Sequence, residues 1–89
     1  MSTPRQAPLR QLIGARIRFL RQQAGISSQE KLADLAGVHR TYIGRLERGN
    51  TGVTIEALAT ILAAMSVSLA EFFHPFERPI RTPTPRRRS

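Results

Sequence analysis

With 89 residues and a hydrophobic fraction of 40%, the chain is long enough for one small domain around a single modest core. Its net charge of +8 indicates an anionic partner, nucleic acid before a membrane surface, and the lack of cysteine excludes disulfides, thiolate metal sites and cysteine nucleophiles. No stretch approaches the ~18 apolar residues of a membrane-spanning helix and no apolar signal region opens the chain, so we expect a cytoplasmic protein without membrane contact.

The first predicted elements are a flexible arm and an amphipathic helix. Residues 1–8 contain two prolines and no apolar periodicity, which is typical of a mobile arm. Residues 9–24 then carry Leu and Ile at the i, i+3, i+4, i+7 spacing of a helix that buries one face. Gly25 can end this helix in the left-handed conformation.

Two shorter helices follow. Ser28 is a typical N-cap, so the second helix is predicted to begin at Gln29 and to end at Gly37. The third helix is predicted over about residues 39–48, and Gly49 closes it. The next segment, GNTGV, has the composition of a turn.

Two further helices and a basic tail complete the chain. Thr54 is predicted to cap the fourth helix, which directs Ile55 and the apolar residues after it inward. Ser68 and Glu71 form the capping box of a fifth helix. Residues 75–89 hold four prolines and five arginines and are predicted to be disordered, because they cannot bury enough apolar surface to fold. This tail either adds salt-sensitive affinity for any DNA or recruits a partner.

The fold class is therefore all-α, since no segment shows the alternation of a strand. Residues 9–74 are predicted to form one compact domain of five helices. Its expected core consists of Ile17, Leu20, Leu32, Ala33, Ile43, Leu46, Leu58, Ile61 and Leu69.

Nothing in the sequence indicates an enzyme. His39 and His74 lie far apart and have no clustered ligand partners, so we expect no metal and no cofactor. No nucleophile–base pair, paired carboxylates or phosphate loop is recognisable, and no small-molecule ligand is expected.

Residues 29–48 have the spacing of a helix-turn-helix. Ala33 must be small where the following helix crosses it, and Gly37 permits the positive-φ turn between two steeply crossed helices. Ile43 and Leu46 anchor the second helix of the motif on the body, which leaves its opposite face free to enter a major groove. The outward residues of that helix are Arg40, Thr41, Gly44, Arg45 and Arg48.

The stretch QEKLADLAGVHRTYIGRLERG, preceded by IRFLRQQAG and followed by TIEALATILAAMSVSLAEFF, resembles the Cro and phage-repressor type of helix-turn-helix regulators, the XRE family. The resemblance covers about residues 9–73, and GVHRTYIGRLERG is most similar to restriction–modification controllers and other small stand-alone regulators. It implies a lambda-repressor-like fold, a bacterial or phage protein, and a homodimer on an inverted repeat in double-stranded DNA.

The resemblance also implies site residues. The base-contacting positions of the family correspond to Arg40, Thr41 and Arg45: arginine can bind guanine through two hydrogen bonds, and the threonine methyl can contact thymine. The alternative for all three is a solvated helix face. Contacts to DNA phosphates, which fix register without reading sequence, are expected from the ends of the motif. The candidates are Gln29, His39, Arg48, Asn50 and Thr51.

Glu47 is the exception among the arginines of the third helix, because a carboxylate beside DNA repels phosphate. In the family the matching glutamate pairs with an arginine of the first helix, four residues before its terminal glycine, which here is Arg21. The alternative is a loose surface pair worth under ~1 kcal/mol. The sequence leaves the role of Gly44 open: it lets the backbone approach the groove, or it is neutral.

The chain departs from the pattern of the family in three places. Three residues, Ile-Ser-Ser, separate Gly25 from Gln29 where the family usually has two, which predicts a looser turn. Ser66 stands where a helix-ending glycine is usual, and a left-handed serine there would cost about 1 kcal/mol. His39 occupies the N-cap position usually held by Ser or Thr, so we expect weak capping and a ring that is free to face DNA.

Phe72 and Phe73 are adjacent, so they cannot both face one core. One of them is expected in the core, and the other, which the sequence does not identify, would join Phe76 in an exposed aromatic patch, which is typical of an interface. We therefore expect a symmetric dimer through the last helix, the alternative being a poorly covered surface phenylalanine. The candidate contacts are Leu69, Phe72, Phe73 and Phe76.

One hypothesis leads and one rival remains. The first is a sequence-specific transcriptional regulator without a ligand domain, controlled by its own concentration. The rival is an antitoxin-type module that neutralises a protein partner and regulates its own gene through DNA. A toxin-binding segment would normally need an apolar or amphipathic tail, and the Pro/Arg-rich tail argues mildly against one. The operator, the sign of regulation and the regulated genes stay open.

Overall fold

The structure, a computed structural model, describes residues 6–76 and is built from five helices followed by a 3₁₀ turn. The elements are α1 (Gln6–Gln23), α2 (Gln29–Ala36), α3 (Arg40–Glu47), α4 (Ile55–Ala64), α5 (Leu69–Phe73) and the 3₁₀ turn His74–Phe76. No strand occurs in this part of the chain, so the all-α prediction is confirmed.

The two ends of the domain differ from the prediction. α1 begins at Gln6 and includes Pro8. A proline is tolerated in the first turn of a helix, because a backbone N–H there would have no intrahelical acceptor. The predicted arm is therefore wrong for residues 6–8, and its first five residues lie outside the described range. At the other end, residues 75–76 belong to the 3₁₀ turn rather than to the tail, whose residues 77–89 are likewise not described.

Side-chain caps begin three of the helices as predicted. The hydroxyl oxygens of Ser28, Thr54 and Ser68 each accept a hydrogen bond from a backbone N–H three residues further on, at 3.0 Å. Gly37 ends α2 with a φ of 73°. Ser66 ends α4 with a φ of 58°, which is the strained left-handed serine that the sequence predicts.

The loop between α1 and α2 is held by a backbone hydrogen bond and by a buried side chain. Gly25 has a φ of 75°, and the N–H of Ile26 donates to the carbonyl of Arg21 at 3.0 Å, which closes α1. The Ile26 side chain is buried. The loop of three residues between Gly25 and Gln29 therefore adds a core contact through Ile26.

A single core joins the five helices. Its buried apolar residues are Ile17, Leu20, Ile26, Leu32, Ala33, Ile43, Leu46, Leu58, Ile61, Leu62, Met65 and Phe72. Two residues expected inside are exposed, Ile55 by 59% and Leu69 by 39%. Each is the first residue of its helix, directly after the cap, and lies at the edge of the core.

α3 packs against both α1 and α2, α2 also packs against α4, and α5 packs against α4. At Gly14 the α1 backbone lies so close to the C-terminal end of α3 that a Cβ would overlap the carbonyl oxygen of Leu46 and lie 2.9 Å from that of Glu47. Only a glycine permits this approach. The contact fixes the inner face of α3 against α1, and the opposite face of α3 points outward.

Within residues 6–76, no single helix is long and apolar enough to cross a membrane. α4 and the segment Leu69–Phe76 reach the required length only together, across a bend of 103°.

Candidate nucleic-acid interface

The exposed face of α3 carries the three predicted base-reading side chains. Arg40, Thr41 and Arg45 are all exposed, whereas Ile43 and Leu46 on the other side of the helix are buried. Two guanidinium groups and a hydroxyl on one outward face can donate hydrogen bonds to the acceptor atoms of base edges. The contacts of these residues with bases stay a prediction.

His39 begins α3 as an N-cap. Its ring nitrogen Nδ1 accepts the backbone N–H of Thr41 at 3.1 Å. An imidazole can therefore replace the usual hydroxyl, because an unprotonated ring nitrogen is also an acceptor. The expectation that the ring is free is wrong at Nδ1, and any phosphate contact of His39 would have to use the exposed remainder of the ring.

Glu47 is turned into the protein and neutralised there. Its carboxylate oxygens accept hydrogen bonds from Arg21 at 2.7 Å (Nε to Oε2) and 3.1 Å (Nη2 to Oε1), and the two side chains are only 6% and 1% exposed. The Gln29 amide donates a third hydrogen bond to Glu47 Oε1 at 3.0 Å, and Arg21 Nη1 donates to the Ile26 carbonyl at 3.0 Å. The pair implied by the resemblance is thus a buried, fully hydrogen-bonded one that ties α3 to α1 and α2.

Gly44 makes room for two side chains. A Cβ at this position would lie 3.0 Å from Gln29 Oε1 and 3.1 Å from Arg48 Nη1. The missing side chain is therefore replaced by the Gln29 amide and the Arg48 guanidinium, which cover the α3 backbone. Whether the glycine also lets the backbone approach a groove, or is neutral, stays a prediction.

Gln29 donates one N–H of its amide to Glu47, which leaves the second amide N–H and the first-turn backbone N–H groups of α2 as donors at this end of the motif. At the other end, the Asn50 N–H closes α3 by donating to the Arg45 carbonyl at 2.9 Å. The Asn50 side chain is exposed and Thr51 is half-buried. Phosphate contacts of all these residues stay predictions.

The structure divides the candidate residues between two places. One set lines a cleft between α1, the start of α2 and α3: Gln29, Arg40, Thr41 and Arg48. The remaining candidates, His39, Arg45, Asn50 and Thr51, lie outside this cleft. Arg40 also contacts Glu30 across the cleft, at 3.5 Å between exposed side chains.

The aromatic patch at the end of the domain is smaller than predicted. Phe72 is fully buried and is the core member of the pair, so it cannot be an interface contact, whereas Phe73 and Phe76 are half-buried. The three rings lie 4.9–6.3 Å apart between centroids. Leu69 is exposed beside them on the same short helix.

Arg16 fixes the position of α5 against α1. It donates to the carbonyl oxygens of Phe72 at 3.0 Å and Glu71 at 2.9 Å, which lie in the last turn of α5. Its guanidinium also lies 5.5 Å from the ring centroid of the exposed Phe19. The orientation of the patch relative to α3 therefore depends on α1.

Comparison with known proteins agrees with this architecture. The model of the helix-turn-helix family HTH_3 matches residues 17–72. The chain belongs to this family.

Two curated relatives of this helix-turn-helix protein are restriction–modification control proteins. It is 39% identical to control protein C.BamHI of Bacillus amyloliquefaciens over 59 residues, which cover 66% of this chain and 73% of the relative. It is 34% identical to control protein C.SmaI of Serratia marcescens over 61 residues, covering 68% and 71%. The sequence-based assignment to XRE-type regulators is confirmed.

Solved structures give the same fold. The controller protein C.AhdI from Aeromonas hydrophila is 36% identical, with a TM-score of 0.68 over 72% of this chain and 91% of that one. The clp gene regulator ClgR from C. glutamicum is 33% identical, with a TM-score of 0.69 over 74% and 83%.

In this helix-turn-helix protein the cleft contains one arginine that is absent from the predicted site: Arg18 is exposed on α1 and lines the cleft together with Arg48. The signal was present, because Arg18 stands three residues before Arg21 and helical residues at that spacing share a face. What the sequence did not show is that the N-terminal end of α2 and the outer side of α3 meet that face.

Proposed function

We propose that the protein is a sequence-specific DNA-binding transcriptional regulator that binds an inverted-repeat operator as a homodimer, with α3 in the major groove. The observation that carries this proposal is the outward face of α3, where Arg40, Thr41 and Arg45 stand exposed on a helix whose own carboxylate is buried and paired. The face presents donors and positive charge without an acidic group of its own.

Charge supports DNA as the partner. The net charge of the chain is +8, and the helix that would enter the groove carries two arginines, Arg40 and Arg45, with a third, Arg48, as its C-cap. Because Glu47 is neutralised by Arg21, it adds little repulsion toward phosphates. A basic, rigid helix face of this kind suits major-groove binding.

There is a physical reason to propose a dimer. One short helix contacts too few base pairs to select a single site in a genome, and two related helices about 34 Å apart would meet successive major grooves on one side of the duplex. The exposed Leu69 and the half-buried Phe73 and Phe76 offer an apolar surface through which two copies could associate.

Among regulators, a restriction–modification controller is favoured over an antitoxin. The control proteins C.BamHI and C.SmaI match over about two thirds of this chain and over most of their own length. The neighbouring genes test this choice: a methyltransferase or nuclease gene beside the coding sequence supports the controller, and a toxin gene supports the rival.

The function is tested by selecting operator sequences from a random DNA library with the full chain, and by measuring affinity for the selected site and for random DNA at one fixed salt concentration. Arg45→Ala should lower the preference for the selected site by roughly 5- to 150-fold, since a good bidentate contact discriminates by about 1–3 kcal/mol. Binding to random DNA should persist.

Lys31→Ala is the matched control, because it removes an exposed positive charge from α2, outside the reading face of α3. It should leave the preference for the selected site unchanged. An unaltered specificity ratio for Arg45→Ala, or a selection that enriches no sequence, would contradict the proposal.

A further inference from the structure

The cleft between α1, α2 and α3 is concave, polar and positively charged. Its volume is about 580 Å³. The residues of its wall that matter here are Arg18, Ser28, Gln29, Thr41, Gly44 and Arg48. Thr41 belongs both to this wall and to the outward face of α3, so a duplex read by that face would bring its backbone against the cleft.

Two of the four arginines in the cleft have their charge offset by a carboxylate. Arg21 is paired with Glu47, and Arg40 lies 3.5 Å from Glu30. Among residues 6–76, neither Arg18 nor Arg48 forms a salt bridge. The cleft therefore holds two guanidinium groups that are available for an anion.

Gly44 directs one of these groups into the cleft. Because it lacks a side chain, the Arg48 guanidinium lies over the α3 backbone beside the Gln29 amide oxygen, within 3.1 Å of where a Cβ would be. Arg18, on α1, lines the same cleft. The first-turn N–H groups of α2 add donors at the start of that helix, which also lines the cleft, since the Ser28 side chain caps only the N–H of Lys31.

We infer that Arg18 and Arg48 together bind one backbone phosphate of the DNA, and that Arg18 is therefore a contact residue of the regulator although it lies outside the helix-turn-helix motif. The inference rests on the proposed function, because the ligand is the duplex read by α3. Planar guanidinium groups match the oxygens of a phosphodiester, and two of them around one phosphate fix the register of the protein on DNA.

The test compares Arg18→Gln with Lys31→Gln, which removes the same charge from an exposed residue outside the cleft. Affinities for the selected operator and for random DNA are measured between 50 and 200 mM salt. Arg18→Gln should weaken binding to both DNAs alike, by roughly 5- to 10-fold near 100 mM, and lower the salt slope by about 1, since one phosphate contact is lost. Lys31→Gln should change neither quantity to that extent.

A second arm locates the phosphate. Operator duplexes that carry a single uncharged methylphosphonate linkage, moved along each strand, should contain one linkage that weakens the wild type but does not further weaken Arg18→Gln. Arg48→Gln should show the same loss of sensitivity at that linkage. Arg18→Lys should keep most of the salt slope, because it keeps the charge.

The inference is overturned if Arg18→Gln binds like Lys31→Gln, or if no linkage shows this coupling. It is also overturned if Arg18→Gln loses binding to a polyglutamate peptide while keeping its affinity for DNA, which would make the cleft a site for an acidic protein. Failure of the proposed function is recognised separately, because Arg45→Ala would then leave the operator preference intact whatever Arg18 does.

Discussion

At the scale of single residues, the burial of Glu47 has the largest energetic consequence. A buried carboxylate is tolerated only with a close counter-charge and satisfied oxygens, and Arg21 and Gln29 supply both. The arrangement also removes a negative charge from the helix that we propose to bind DNA. One ion pair thus serves both the packing of α3 and the electrostatics of its exposed face.

Glu47→Gln should destabilise the domain by about 3–5 kcal/mol, because the Arg21 guanidinium would remain buried without its counter-charge. The free energy of unfolding is measured by urea denaturation followed by circular dichroism. Glu30→Gln is the matched control: it makes the same chemical change at a pair whose side chains are more than 60% exposed, and should cost under ~1 kcal/mol.

The double variant Arg21→Met with Glu47→Leu should recover much of the loss caused by Glu47→Gln, since no buried charge remains. Equal destabilisation by Glu47→Gln and Glu30→Gln would show that the 2.7 Å pair does not exist in solution.

At the scale of elements, the position of α3 depends on a glycine in the middle of α1. Gly14→Ala should destabilise the domain by about 1–3 kcal/mol despite the better helix propensity of alanine, because its Cβ would collide with the carbonyls of Leu46 and Glu47. Backbone atoms at both sides of the contact cannot move out of the way without moving a helix. Thermal unfolding of the variant measures the effect.

Gly44→Ala is the control for this prediction, because it places the same methyl group on a neighbouring helix. There the nearest atoms, 3.0 and 3.1 Å from the new Cβ, are the ends of the flexible Gln29 and Arg48 side chains. Its stability should lie within about 1 kcal/mol of the wild type. A Gly14→Ala variant as stable as Gly44→Ala would contradict the close packing of α1 on α3.

Local signals in the sequence predicted most of the helices and their caps. Ser28, Thr54 and Ser68 could be recognised because a cap depends only on residues within one turn. The exposure of Ile55 and Leu69 could not be predicted from the sequence, because periodicity gives the direction of a side chain but not the place where the neighbouring helix ends.

Only part of the candidate site could be predicted from the sequence. The outward residues of α3 follow from helical spacing alone, and the Arg21–Glu47 pair followed from the family resemblance. The contribution of Arg18 to the cleft, the glycine contact at Gly14 and the side chains over Gly44 depend on how three helices meet. Contacts of that kind join residues far apart in sequence, and no local pattern encodes them.

At the scale of the whole molecule, assembly and DNA binding should be coupled through α5. Phe73→Glu should leave the domain helical, because the buried aromatic residue is Phe72, but should make it monomeric and weaken binding to the inverted repeat. Sedimentation at tens of micromolar and circular dichroism measure the two properties.

Leu35→Glu is the control for assembly, since it makes a comparable change at a side chain that is 62% exposed on α2, away from α5. It should sediment like the wild type. A wild type that is monomeric at this concentration, together with an operator without an inverted repeat, would exclude the dimer.

The Arg21–Glu47 pair also determines whether the helix-turn-helix motif can be separated from the rest of the domain. It joins residues 26 apart in the chain, so a peptide limited to α2 and α3 would keep Glu47 but lose both its counter-charge and the α1 backbone that packs at Gly14. Such a fragment would have to expose the carboxylate to solvent, because a buried charge without a partner is strongly destabilising. If α3 reads DNA as we propose, its specificity should therefore be transferred by exchanging side chains on the surface of α3. Grafting the segment of α2 and α3 into another protein would require a host whose own first helix supplies an arginine and a glycine at the matching positions.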